Sequence, residues 1–163
     1  MQRKLAHIVV LIVITIVLIS CRVDHNPAPE TTFSMITGKK IALHELRGKP
    51  VIVTFWATDC ASCIKEIPHF IELYQRYHGK GLEIIAVAMS YDPPNHVLEM
   101  SRALQLPYDV ALDMQAENAQ AFGNVMVTPT TFLIAPDGSI VLQKTGLLDL
   151  TEIKTQLSTF FKE

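Results

Sequence analysis

Residues 51–63 run Val-Ile-Val-Thr-Phe-Trp-Ala-Thr-Asp-Cys-Ala-Ser-Cys. This stretch constrains the fold more than any other. Its first six residues are β-branched or aromatic and follow Pro50, which predicts a buried strand over Val51–Trp56. From Ser62 to His78, Ile64, Ile67, Ile71 and Tyr74 recur at helical spacing. Cys60 and Cys63 therefore fall where a buried strand hands over to a helix. Pro68 lies inside the helical run and predicts a kink there.

A cysteine at a helix N-terminus faces unpaired N–H groups and the positive end of the helix dipole. Both favour the thiolate, which is the attacking species in exchange. Cys63 sits about one turn later, within reach of the Cys60 sulfur. Cys60 can attack a partner disulfide, and Cys63 can then resolve the mixed disulfide; the reverse order oxidises a dithiol. Spacing alone leaves the direction open. A structural role fits less well. Closing so short a loop removes roughly 2 kcal/mol of chain entropy, against about 3 for a 15-residue loop. The chain has 3 cysteines, too few for a disulfide framework or a four-thiolate zinc site. His44, His69, His78 and His96 are scattered singly, so no metal or other cofactor is expected.

The flanking pattern predicts one α/β domain over 31–163. Thr31 to Leu46 has the look of a hairpin turning at Gly38-Lys39. Strands are expected at Leu82–Met89, Tyr108–Leu112, Thr130–Ile134 and Ile140–Lys144. Helices are expected at Asn95–Leu104 and Ala116–Phe122. Pro136-Asp137-Gly138 is a tight turn. Asp149, with Glu152 three residues on, caps a last helix whose apolar face is Leu150, Ile153, Leu157 and Phe160. A hairpin, alternating β and α, then a hairpin and helix make a mixed sheet with helices on both faces.

Composition matters mainly at the N-terminus. Apolar residues are 49% of the 163, and mean hydropathy is +0.27. Met1 to Lys4 is basic, and Leu5 to Ser20 is aliphatic except for His7, Thr15 and Ser20. That is the layout of a secretory signal. As a helix the run reaches roughly 24 Å, short of a hydrocarbon core of about 30 Å. Leu18-Ile19-Ser20-Cys21 resembles the lipobox of bacterial lipoproteins. The resemblance implies a signal over 1–20, cleavage, and lipidation of Cys21; an uncleaved anchor is the competing reading. Either way the rest is expected outside the cytoplasm, attached to a membrane. Residues 21–30 are polar with two prolines and are expected to be a spacer. A net charge of −2 argues against a nucleic-acid partner.

The segment Val53 to Cys63 resembles the active site of thioredoxin-like proteins, most closely the TlpA/ResA-type membrane-tethered thiol–disulfide oxidoreductases. Leu46-Arg-Gly-Lys-Pro50 and Val127-Thr-Pro-Thr-Thr-Phe-Leu-Ile134 extend the likeness over most of 32–163. It implies a thioredoxin-like fold with an N-terminal β-hairpin. It implies Cys60 and Cys63 as the catalytic pair, and Pro129 as a cis-proline beside them. Trp56, Thr128 and Pro129 would then contact an extended partner chain. Glu66 matches a glutamate of the ResA-like group, where a desolvated carboxylate could take the proton of Cys63. The implied function is reduction of extracytoplasmic protein disulfides, with cytochrome c maturation as an associated pathway. A DsbD/CcdA-like membrane protein would recharge the pair.

Departures from the pattern are specific. Asp59 replaces a tryptophan common before the first cysteine and should oppose thiolate formation at Cys60. Thr54 stands where many thioredoxins bury an aspartate. Ala61-Ser62 replaces Gly-Pro or Glu-Pro, which suggests a reducing rather than strongly oxidising pair. Two alternatives share the fold. A thiol peroxidase would carry threonine at position 57, which here is Ala57. A copper metallochaperone would use wider cysteine spacing and a distal histidine.

Overall fold

The computed structural model describes residues 26–161. An N-terminal hairpin pairs β1 (Thr32–Met35) with β2 (Lys40–Ala42), turning at Gly38 as expected, and runs into a 3-10 turn over Leu43–Leu46. Then follow β3 (Val51–Trp56), α1 (Ala61–Tyr77), β4 (Glu83–Ala88), α2 (Pro94–Ala103), β5 (Asp109–Leu112) and α3 (Glu117–Ala121). The chain closes with β6 (Thr130–Ile134), β7 (Ile140–Thr145) and α4 (Leu150–Phe161). The seven strands form one sheet in the order β2-β1-β5-β4-β3-β6-β7. β3, β4 and β5 are parallel to one another; β6 runs antiparallel to β3, and β1 antiparallel to β5. The sheet is mixed, as the element order predicts.

β3 lies between β4 and β6, and all six of its residues are buried. Its apolar side chains divide between the two faces by the two-residue period of a strand. Ile52 and Trp56 join a core with Ile67, Phe70 and Leu73 of α1, Val97 of α2, and Ile153 and Leu157 of α4. Val51, Val53 and Phe55 join the opposite core, with Phe33, Met35, Ala119 and Phe122. Three helices thus cover one face, while α3 packs on the other, where buried side chains of the in-sheet hairpin extend the core. The second core centres on aromatic edges: Phe55 lies 5.5 Å from Phe122 and 6.1 Å from Phe132, both edge-on.

One sequence expectation changes in detail. The stretch expected to be a free spacer is already docked at its end. Pro27 bridges Ser139, Ala28 donates its N–H to Gly138 O (2.9 Å) and is buried, and Ile140 N–H donates to Asn26 O (2.7 Å). The β6–β7 turn offers free backbone groups there, and a proline-rich segment can satisfy them. Pro68 lies inside α1, which continues through it as one element of 17 residues. The leader and Cys21 lie outside the described residues. Among the described residues no helix is long and apolar enough to cross a membrane.

Candidate active site

Cys60 caps the N-terminus of α1. Its backbone is extended (φ −87°, ψ 98°), so the helix starts at the following residue. Its Sγ accepts from the N–H of Cys63 at 3.2 Å, one of the amides a helix start leaves open. Sγ of Cys60 also lies 3.5 Å from Ser62 Oγ. The two cysteines are joined in a disulfide with Cα atoms 5.2 Å apart. Their surroundings differ. Cys60 is half-buried, whereas Cys63 is 3% exposed and belongs to the α1-side core.

Behind Cys63 is a cavity of about 10 Å³, room for roughly one water. Thr54, Trp56, Cys63, Glu66, Tyr108 and Pro129 all contribute to its wall. Glu66 is one helical turn beyond Cys63 and is only 3% exposed. One carboxylate oxygen accepts from the backbone N–H of Leu148, on the loop before α4; the other is buried with no partner among the described residues. Burial raises the Glu66 pKa above the ordinary carboxylate value, and it outweighs the opposing Leu148 hydrogen bond and the nearby His69. Burial likewise pushes the Tyr108 phenol up. Thr54, where thioredoxins place a buried acid, instead bonds through Oγ1 to Thr131 Oγ1 at 2.9 Å. The acidic group of this cavity therefore comes from α1 rather than β3.

Pro129 is buried at the start of β6, and the Thr128–Pro129 peptide is cis, as the resemblance implies. Thr128 is half-buried beside it, while Met126 and Val127 just before are 86% and 57% exposed. Trp56, the last residue of β3, is 4% exposed, so it lines the inside of the site more than its surface. The structure thus brings Trp56, Cys63, Glu66 and Pro129 to one cavity, with Cys60 at its outer edge and Thr128 next to Pro129. Cys21 is not among the described residues.

Sequence reasoning missed Asp92. This side chain follows β4, is 6% exposed, and holds the turn before Cys60. Its Oδ2 accepts from the N–H of Thr58 at 2.6 Å, and Oδ1 from the Thr58 hydroxyl at 2.7 Å. Nothing local to Ser90-Tyr-Asp-Pro93 signals this, because the pairing exists only once β3 and β4 lie side by side. Leu148 was missed for the same reason: its N–H has no sequence signature.

The AhpC/TSA family profile matches residues 25–143. The chain is 35% identical over 136 residues to the thiol-disulfide oxidoreductase ResA of Bacillus thuringiensis subsp. konkukian, covering 83% of this chain and 75% of that one. It is 34% identical over 125 residues to ResA of Bacillus subtilis, covering 77% of this chain and 69% of that one. Among solved structures, a Neisseria meningitidis protein described as a candidate thioredoxin superposes with a TM-score of 0.77 at 29% identity. That match covers 83% of this chain and 90% of the other. With its Cys60–Cys63 pair at the head of α1, the chain belongs to the AhpC/TSA family of thioredoxin-like proteins and, within it, to the ResA-like thiol–disulfide oxidoreductases.

Proposed function

We propose that the protein works as a reductant of protein disulfides outside the cytoplasm. The unequal burial of its two sulfurs supports the order of attack, and the likeness to ResA supports the reducing direction and the place outside the cytoplasm. Half-buried Cys60 can meet a partner, while Cys63, 3% exposed, can reach Cys60. In the reduced protein the Cys60 thiolate attacks one sulfur of the substrate disulfide. A Cys60–substrate bond forms, the substrate S–S bond breaks, and one substrate thiolate leaves. Glu66 takes the Cys63 proton, directly or through one water in the cavity. The Cys63 thiolate then attacks Cys60 Sγ, forming Cys60–Cys63 and releasing the second substrate thiolate. Two electrons pass to the substrate, and an external dithiol must return them. A raised carboxylate pKa suits the role because it narrows the gap to a thiol.

Thr128 and Pro129 are proposed to receive the substrate backbone, with exposed Met126 and Val127 offering apolar contact and buried Trp56 backing the site from inside. The finer readings rest on the family resemblance and the leader: apocytochrome c as substrate, a DsbD/CcdA-like donor, and a lipid on Cys21. The exposed position before Cys60 is Asp59, and buried Ala57 occupies the place of a peroxidase threonine, so exchange is favoured over peroxide chemistry.

Insulin reduction by the full-length chain tests the mechanism. Cys60→Ser should reduce turnover to background. Cys63→Ser should halt after the first step and accumulate a mixed disulfide visible on non-reducing gels. Wild-type turnover by Cys60→Ser would overturn it.

A further inference from the structure

A second surface lies beside the redox pair and shares no lining residue with the Glu66 cavity. It is an open groove of about 630 Å³ between the start of α1 and α2. Ile64, Met100 and Leu104 give it an apolar lining; Ile64 is 40% and Leu104 41% exposed. Its polar rim is Thr58, Asp59, His96 and Glu99, and no Lys or Arg is among the described residues lining it. The groove is continuous with the reactive site. Asp59 directly precedes Cys60, and Ile64 donates its N–H to Cys60 O at 3.1 Å. Asp92 adds a third carboxylate below the rim, clamped onto Thr58.

An apolar lining with an acidic rim is the complement of one kind of side chain. Lys and Arg lay their methylene stems along apolar surface and keep a cationic head in water. A Glu or Asp in the same place would find no Lys or Arg, only His96, and would face Asp59 and Glu99. An extended chain advances about 3.3 Å per residue, so a substrate bonded to Cys60 places its next one or two side chains at this groove. We propose that the α1–α2 groove is a substrate subsite that selects polypeptides with Lys or Arg next to the disulfide cysteine. The stem would rest on Ile64, Met100 and Leu104, and the head would sit between Asp59 and Glu99. The inference rests on the reductase reading above and names the substrate class of that same site.

Two short peptides closed by an internal disulfide, identical except for Lys or Glu beside each cysteine, test it. Each is reduced by the pre-reduced full-length protein at low salt, and each rate is divided by that with dithiothreitol, which removes intrinsic reactivity. Two weak, exposed charge contacts predict a Lys-over-Glu preference of about five-fold. Salt at 1 M should erase most of it. Glu99→Lys, outside the redox turn, should bring the ratio close to one, and Asp59→Asn combined with Glu99→Gln should do the same. Equal normalised rates in the wild type, or a preference unchanged in Glu99→Lys, overturn the subsite and leave the reductase reading standing. Reduction of neither peptide overturns both.

Discussion

Glu66 illustrates how one residue acquires chemistry from its surroundings. Solvated on a helix it would be an ordinary glutamate; at 3% exposure, with one oxygen on Leu148 N–H and the other unpartnered among the described residues, it is costly to ionise. Its folded pKa lies above the unfolded value, so the folded state holds the proton more tightly. The associated stability is present below the unfolded pKa and is lost as pH rises through the folded one. Glu66→Gln keeps an acceptor for Leu148 and removes the charge. It should raise the thermal midpoint at pH 7 and bring no gain near pH 4, as read by calorimetry. The same variant should slow resolution of the mixed disulfide about 100-fold. Stopped-flow traces should also lose the acid limb that wild type shows as Glu66 becomes protonated. Retention of that limb in Glu66→Gln would assign it to another group.

At the scale of elements, the redox turn is held from outside its own helix. β3 delivers the chain to Thr58, and α1 begins after Cys60. Between them Asp92, from the loop after β4, accepts from both the amide and the hydroxyl of Thr58. Asp92→Ala leaves those two groups without their acceptor and should cost about 1–3 kcal/mol in urea unfolding. Asp92→Asn keeps one acceptor oxygen and should cost less. On the opposite face, Phe55 packs edge-on against Phe122 and Phe132. Phe55→Ala should cost about 3–5 kcal/mol, far more than Asp149→Ala, which removes only an exposed cap. Asp149 Oδ1 accepts from Thr151 N–H at 2.8 Å and Glu152 N–H at 3.3 Å, and its loss should cost about 1 kcal/mol.

For the whole molecule, the N-terminal segment is part of the folded unit from residue 26. A chain begun at residue 31 loses the Asn26–Ile140 and Ala28–Gly138 hydrogen bonds and the buried Ala28 methyl. Two such bonds predict a loss of about 1–3 kcal/mol relative to a chain begun at residue 26. Redox poise also belongs at this scale. With Ala61-Ser62 between the cysteines and Asp59 before them, the midpoint potential should lie well below the DsbA value of about −120 mV. Equilibration with glutathione buffers measures it, and a value near −120 mV would exclude a reducing role.

Periodicity and local chemistry let the sequence determine much by itself. β3 and β6 have the predicted bounds because dense β-branched and aromatic runs are bounded by turn residues. The Cys60–Cys63 spacing places both thiols on one helical turn wherever that helix lies. Asp149 caps its helix through a bond three residues long at most. Tertiary structure alone decided what those thiols face. Glu66 meets Leu148 across 82 positions, Asp92 meets Thr58 across 34, and Thr54 meets Thr131 across 77. Each pairing depends on which elements become neighbours, and a buried carboxylate differs from a solvated one only once that packing has excluded water.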